Sequence, residues 1–228
     1  SVNMSNLSLT TASGFIAGDS VTASATGTFA TKNVGSNIAY TIGVSLSGSD
    51  AANYQMSSGS SYSGTNGAIT QLSSVTYTGS NAGGNWSNPS NWTTTGTSTV
   101  GAIPDLSNVA TVIIPAGSTV IYDAAVAGPV TSNVVDHGNI TVSVPTATTI
   151  PMAISGLGSV TISNTGAVTL TGDNSYSGGT NLSAGSSLVA GSNNAISTGS
   201  MVSSGTSSSV ATFSTSSGVV LPAISLVG

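Results

Sequence analysis

The sequence predicts an all-β protein in which an N-terminal β-sandwich-like module precedes a β-solenoid. Three observations predict it. Short runs of β-branched residues recur along the 228 positions. Gly, Asn, Ser or Pro separates one run from the next. No stretch repeats apolar residues at i, i+3, i+4 and i+7 behind a capping residue, so helices are not expected.

Taken in order, residues 1–72 hold widely spaced runs such as Val21-Thr22-Ala23-Ser24-Ala25 and Ala39-Tyr40-Thr41-Ile42-Gly43-Val44. That spacing suits an antiparallel sandwich-like module. Residues 73–101 carry both tryptophans, Trp86 and Trp92, and are expected to be a linker or cap. From residue 102 the rhythm quickens. Val109-Ala110-Thr111-Val112-Ile113-Ile114, Ile140-Thr141-Val142-Ser143-Val144, Val160-Thr161-Ile162 and Val168-Thr169-Leu170-Thr171 are short β-branched runs with glycine turns among them. The turns include Pro115-Ala116-Gly117, Asp136-His137-Gly138, Asn164-Thr165-Gly166 and Ser183-Ala184-Gly185. Short strands at intervals of roughly 20 residues describe stacked coils, expected over residues 102–228. Alternation with Thr and Ser points Val112, Ile114, Val142, Val160, Ile162, Val168 and Leu170 inward.

Charge is almost missing. Charged residues are 3% of the chain: one Lys, six Asp, no Arg and no Glu. Nucleic-acid binding is excluded, because no set of cations exists to replace phosphate counterions. The polar remainder is Ser, Thr, Asn and Gly. Richness in Val, Ile and Thr argues for a folded chain. Cys is absent, which a secreted protein tolerates when repeated strand pairing supplies stability. Residues 1–20 have neither a basic start nor an apolar core, so a mature product or an internal piece is expected. No apolar run approaches the ~18 residues of a membrane helix, and membrane insertion is not expected.

Two segments resemble known families. Ile16-Ala17-Gly18-Asp19-Ser20-Val21, Gly27-Thr28-Phe29-Ala30-Thr31-Lys32-Asn33-Val34-Gly35, Leu46-Ser47-Gly48-Ser49-Asp50-Ala51-Ala52-Asn53-Tyr54 and Ala68-Ile69-Thr70 follow one another in order. They resemble the second half of the YDG-type domain of filamentous-haemagglutinin-like bacterial adhesins. The Tyr-Asp-Gly opening strand that names that domain is missing. Gly84-Asn85-Trp86-Ser87-Asn88-Pro89-Ser90-Asn91-Trp92, with Ile103-Pro104-Asp105 after it, is similar to a segment that opens autotransporter passengers. Gly156-Leu157-Gly158-Ser159-Val160-Thr161 and Leu170-Thr171-Gly172-Asp173-Asn174-Ser175-Tyr176-Ser177-Gly178-Gly179-Thr180 resemble the autotransporter-associated β-strand repeat. The two resemblances imply a secreted, surface-exposed stalk or adhesin segment, and they imply no ligand.

Candidate chemistry is sparse. His137 has no second His and no Cys to share a metal with, and a turn role is expected. Asp19, Asp50 and Asp173 lie beside Gly or Ser without the repeated spacing of a calcium loop, so backbone capping in turns is expected. No catalytic, cofactor-binding or metal-binding residue is expected, and no cofactor. Paired carboxylates of a glycosidase are not in evidence, and enzymatic activity is not expected. Trp86 and Trp92 are candidates for capping the first coil, with sugar stacking as the alternative. Val219, Val220, Leu221, Ile224 and Leu226 form an uncharged apolar stretch, a candidate self-assembly strand. Its alternative is a last coil.

The expected function is therefore structural: an extracellular scaffold, either a segment of a bacterial adhesin stalk or the subunit of a self-associating surface fibre in a biofilm matrix. Expected partners are other copies of the chain or neighbouring domains of a longer chain, with a host or matrix glycan as a further candidate. The alternative is a glycan- or ice-binding solenoid module.

Overall fold

Strands account for nearly all regular structure, as the β-branched runs require. The computed structural model describes residues 15–56, 59–94, 102–105, 107–123, 126, 130–164, 166–197, 199–206 and 208–227. The chain divides into two compact units, Ser1–Thr70 and Gln71–Gly228.

In the first unit β1 (Thr22–Phe29), β2 (Gly35–Ser47) and β3 (Ser61–Ile69) form an antiparallel sheet in sequence order. Directly opposed residues share a face of a sheet. Ala23 faces Leu46, Ala25 faces Val44 and Phe29 faces Tyr40, whereas Thr22 faces Ser47, Ser24 faces Ser45 and Thr28 faces Thr41. One side of the sheet is thus apolar and the other is hydroxyl-lined. On the hydroxyl side the Ser24 and Ser45 Oγ atoms lie 2.8 Å apart, in hydrogen-bond contact. The register shifts on either side of Ile38. Its neighbour Asn37 has φ of 55°, a left-handed conformation that Asn tolerates better than most residues.

The second unit runs through β4 (Leu72–Tyr77), β5 (Gly84–Asn85), β6 (Trp92–Thr94), β7 (Val109–Ile114), β8 (Thr119–Asp123), β9 (Asn133–Asp136), β10 (Asn139–Ser143) and β11 (Thr148–Ile150). It continues with β12 (Ile154–Ser155), β13 (Ser159–Ile162), β14 (Ala167–Leu170), β15 (Thr180–Leu182), β16 (Ser187–Ala190), β17 (Met201–Ser203), β18 (Thr212–Thr215) and β19 (Leu226–Val227). These strands make three sheets: β19-β17-β15-β13-β10-β8-β5, β11-β14-β16-β18 and β12-β9-β7-β4-β6. All pairings in them are parallel except β4 with β6. The result is a β-solenoid of about 4 turns. Its central step is twenty residues: Asn139 stands opposite both Thr119 and Ser159, and Val168 opposite both Thr148 and Leu188.

The core is a set of ladders. Val120, Ile140 and Val160 stack in one sheet, Val75, Val112, Val134 and Ile154 in another, and Ile150, Leu170 and Ala190 in the third. All are buried, as are Ile114, Val142, Ile162 and Val168, the other positions that alternation places inward. Each Val, Ile or Leu among them contributes about 1.5–3 kcal/mol by leaving water. Along these strands burial alternates residue by residue; β13 and β14 both read half-buried, buried, half-buried, buried.

The stretch 73–101, expected as a linker or cap, belongs to the second unit, and its described strands lie within the solenoid sheets. β4 pairs with β7 in parallel and β5 pairs with β8, so this stretch supplies the first coil. Its β-branched residues are sparse, so its strands do not show in the sequence. β5 has only two residues, and the Gly and Asn around it look like loop.

The ladders set a clear expectation for Ile162, which is fully buried. Ile162→Asp should cost about 4 kcal/mol or more, because no cation is available to pair with a buried carboxylate. Urea unfolding followed by tryptophan fluorescence measures it; a loss under 1 kcal/mol would refute the ladder position.

Candidate functional site

Polar side chains in both units are used mainly to fasten backbone. In the first unit the expected turn residues Asp19 and Asp50 meet around Tyr54. The Tyr54 hydroxyl donates to Asp19 Oδ2 at 2.6 Å and accepts from the Ile16 N–H at 2.9 Å. Asp50 Oδ2 accepts from the Ser20 N–H at 2.8 Å and from Ser49 Oγ at 3.1 Å. Phe15 packs edge-on against the Tyr54 ring, centroids 5.0 Å apart. Accepting this proton holds Asp19 in place and raises the phenol's pKa, the hydrogen bond being the largest cause. Gly48 is required here. Its φ is +115°, and a β-carbon would fall 2.1 Å from the Ser20 carbonyl oxygen. The Gly-Ser-Asp and Asp-Ser blocks therefore tie the chain at residues 16–20 to the end of β2.

At the first coil the two tryptophans lie in an aromatic cluster. Trp86 and Trp92 are both fully buried, with ring centroids 5.0 Å apart; Tyr77 packs on Trp92 at 5.5 Å and Tyr122 on Trp86 at 5.4 Å. The Trp86 indole N–H donates to the Pro104 carbonyl at 2.6 Å, and that of Trp92 to the Trp86 carbonyl at 2.7 Å. Both donors are thereby satisfied, which buried indoles need. Neither ring presents a face on which a sugar could stack. β6 runs antiparallel along β4, placing Trp92 at the outer edge of its sheet. The Asn-Pro-Ser-Asn stretch makes a 3₁₀ turn, with the Asn88 side chain accepting from the Ser90 N–H and Asn91 Nδ2 donating to the Asn85 carbonyl. Burial, with a smaller effect from Asp123, pushes the Tyr122 phenol up to about 12.

The Gly-Asp-Asn-Ser-Tyr segment forms a coil corner. Asn174 spans two coil interfaces: its Oδ1 accepts from the Ile154 N–H at 2.8 Å, and its Nδ2 donates to the Ala195 carbonyl at 2.6 Å. Asp173 Oδ1 accepts from Asn194 Nδ2 at 2.6 Å. The Tyr176 hydroxyl pairs with Thr180 Oγ1 at 2.7 Å. His137 lies in its turn, where Nδ1 accepts from the Leu157 N–H at 3.4 Å. Among the described residues no three His, Cys, Asp or Glu side chains come together as a metal site.

The apolar stretch proposed for self-assembly lies along the last coil. Val219, Leu221 and Ile224 pack, partly buried, on the core, whereas Val220 is exposed. Leu226–Val227 pair in parallel with Met201 and Val202. A shallow groove of about 580 Å³ lies on the first unit, lined by Phe29, Tyr40, Thr41, Ser63 and Gly64 among others.

Three features escaped the sequence reading. Tyr77 and Tyr122 belong to the aromatic cluster, Asn174 bridges coils, and Asp136 is buried. The last was detectable, since in Asn133-Val134-Val135-Asp136 alternation puts Asp136 on the same side as Val134.

Comparison with known proteins adds one finding. The YDG domain family matches residues 1–62, stopping short of Ala68-Ile69-Thr70. No curated protein and no solved structure matches the chain.

Two substitutions test these placements. Trp86→Ala should lower the stability of the second unit by about 3–5 kcal/mol, read by urea unfolding monitored by circular dichroism; a change below 1 kcal/mol would show that the cluster does not hold the first coil. Asp173→Asn should stay within about 0.5 kcal/mol, because an amide oxygen still accepts from Asn194. A calcium-dependent rise in melting temperature that this variant abolishes would overturn the turn role.

Proposed function

We propose that the chain is a structural, extracellular scaffold: a segment of a bacterial adhesin stalk or the subunit of a self-associating surface fibre. The observation that carries this reading is the coil-by-coil ladder of buried Val, Ile and Leu side chains, together with polar side chains that are engaged in hydrogen bonds within the fold. Asp19, Asp50, Asp123 and Asn174 each take backbone or side-chain donors within their own unit. In this reading the chain has no catalytic role. The YDG match supports placement on a bacterial surface protein, since that domain is a tandem building block in the adhesins the first unit resembles. The outward residues of β14 and β16 are Ala167, Thr169, Ser187 and Val189. They give an uncharged wall, and uncharged sheets lack the usual guard against edge-to-edge pairing.

A second reading, glycan or ice binding, is favoured by one feature. Thr149, Thr169, Val189 and Ser214 align in register across four parallel strands, making a row of methyl and hydroxyl groups. Thermal hysteresis or a glycan array decides for or against it.

Immunogold electron microscopy of intact source cells tests the scaffold reading, which expects label on extended surface structures; label confined to the cell interior would reject it. Sedimentation of the purified chain separates the two forms: a monomer at all concentrations marks the stalk, and concentration-dependent polymer the fibre. If polymer forms, deleting residues 219–228 should abolish it where that stretch donates the joining strand.

A further inference from the structure

Asp136 occupies a core position. Val134 and Asp136 are completely buried while Val135 between them is only half-buried, and the register sets Asp136 on Ile114 of the preceding coil. Its Oδ1 accepts one bond, from the Gly138 N–H at 2.9 Å, and its Oδ2 has no partner. Gly158 of the next coil lies so close that a β-carbon there would come within 2.4 Å of the carboxyl, and one on Gly156 would come within 2.1 Å of the Asp136 carbonyl oxygen. The glycines of Gly156-Leu157-Gly158 make the room in which this side chain sits.

The other carboxylates differ. Asp19 holds the Tyr54 hydroxyl, Asp50 the Ser20 N–H, Asp105 the Asn108 amide, Asp123 both the N–H and hydroxyl of Ser87, and Asp173 the Asn194 amide. None of them is completely buried. The titratable groups near Asp136 are few. His137 is its neighbour in the turn and accepts the Leu157 N–H. Tyr176, two coils on, is buried and feels the Asp136 charge. The preceding coil brings Ile114, Pro115 and Ser118, which do not titrate, and residues 71–228 contain no Lys or Arg.

We propose that Asp136 is a proton-operated fastener of the solenoid: protonated it rests neutral in the core and the corner of residues 136–138 and 156–158 stays closed, and ionised it loosens that corner. Burial, opposed by the Gly138 N–H, pushes the carboxyl up to about 6 from an ordinary 3.8. The folded chain therefore binds this proton more tightly than the unfolded chain does. Stability from Asp136 is greatest in acid, falls as pH rises from about 4 to about 6, and is flat above that.

Urea unfolding of the full chain at pH 5 and pH 7 tests this. The folding constant should fall roughly tenfold between the two, as linkage for a carboxyl shifted from 3.8 to about 6 requires. In Asp136→Asn and Asp136→Ser that fall should vanish. Equal or greater stability of the full chain at pH 7, or the same slope in a folded variant, would overturn the proposal. If neither variant folds, hydrogen exchange of the full chain decides. The His137 and Gly158 amides, which bond the Ile114 and Asp136 carbonyls, should open more at pH 7 than at pH 5, after correction for intrinsic rates, relative to the amides of Ala167–Leu170. Equal opening of both groups would refute the fastener.

Discussion

Each inward side chain of the solenoid rests on the one a coil away, and the rest of the second unit depends on that contact. A single coil, with strands of two to six residues, buries little by itself. Stacked, it lends one side of every inward Val, Ile or Leu to each neighbour, and its backbone N–H and C=O groups find partners in the coils on either side. The step must then stay constant wherever ladders are continuous. It is twenty residues through the centre of the solenoid. Extra residues enter only between strands: Leu72 lies opposite Val109, and Ser187 opposite Thr212. Loops absorb the excess so that the ladders do not.

A constant step leaves the corners as the difficult places, because there the backbone turns away from its ladder. Asn174 answers this at one corner by bonding to the coils before and after it. Ser132 and Ser155 do it with hydroxyls that donate to the Val109 and Val134 carbonyls. Neutral amides and hydroxyls suit the task, since burying them with a partner costs far less than burying an ion. Near absence of charge across 228 residues is consistent with this manner of construction. Asp136 is the exception, and it sits where two glycines give way to it.

Alternation made the fold legible in the sequence wherever it was regular. Val109–Ile114 is a strand within the bounds that the β-branched run indicates, and the Thr/Val alternation of residues 159–170 identifies its buried side chains. Legibility failed where tertiary pairing alone makes the strand. β5 and β12 have two residues each, too few to show a period. Ile113 and Ile121 are apolar yet only half-buried, which blurs inside and outside. In the first unit the Asp19, Asp50 and Tyr54 blocks stood out as motifs, but the hydrogen bonds between them join residues thirty or more apart and no local pattern announces them. The tryptophans were legible as a pair. Their aromatic partners came from elsewhere in the sequence, so the cluster was not.

The aromatic cluster also gives the solenoid a place from which assembly can start. Contacts between successive coils link residues close in sequence, so assembly can spread from neighbour to neighbour like a zipper. At the first coil, four interlocked rings and an antiparallel strand close the stack. Rings that interlock at the first coil therefore offer one place on which neighbouring coils can be laid down in turn.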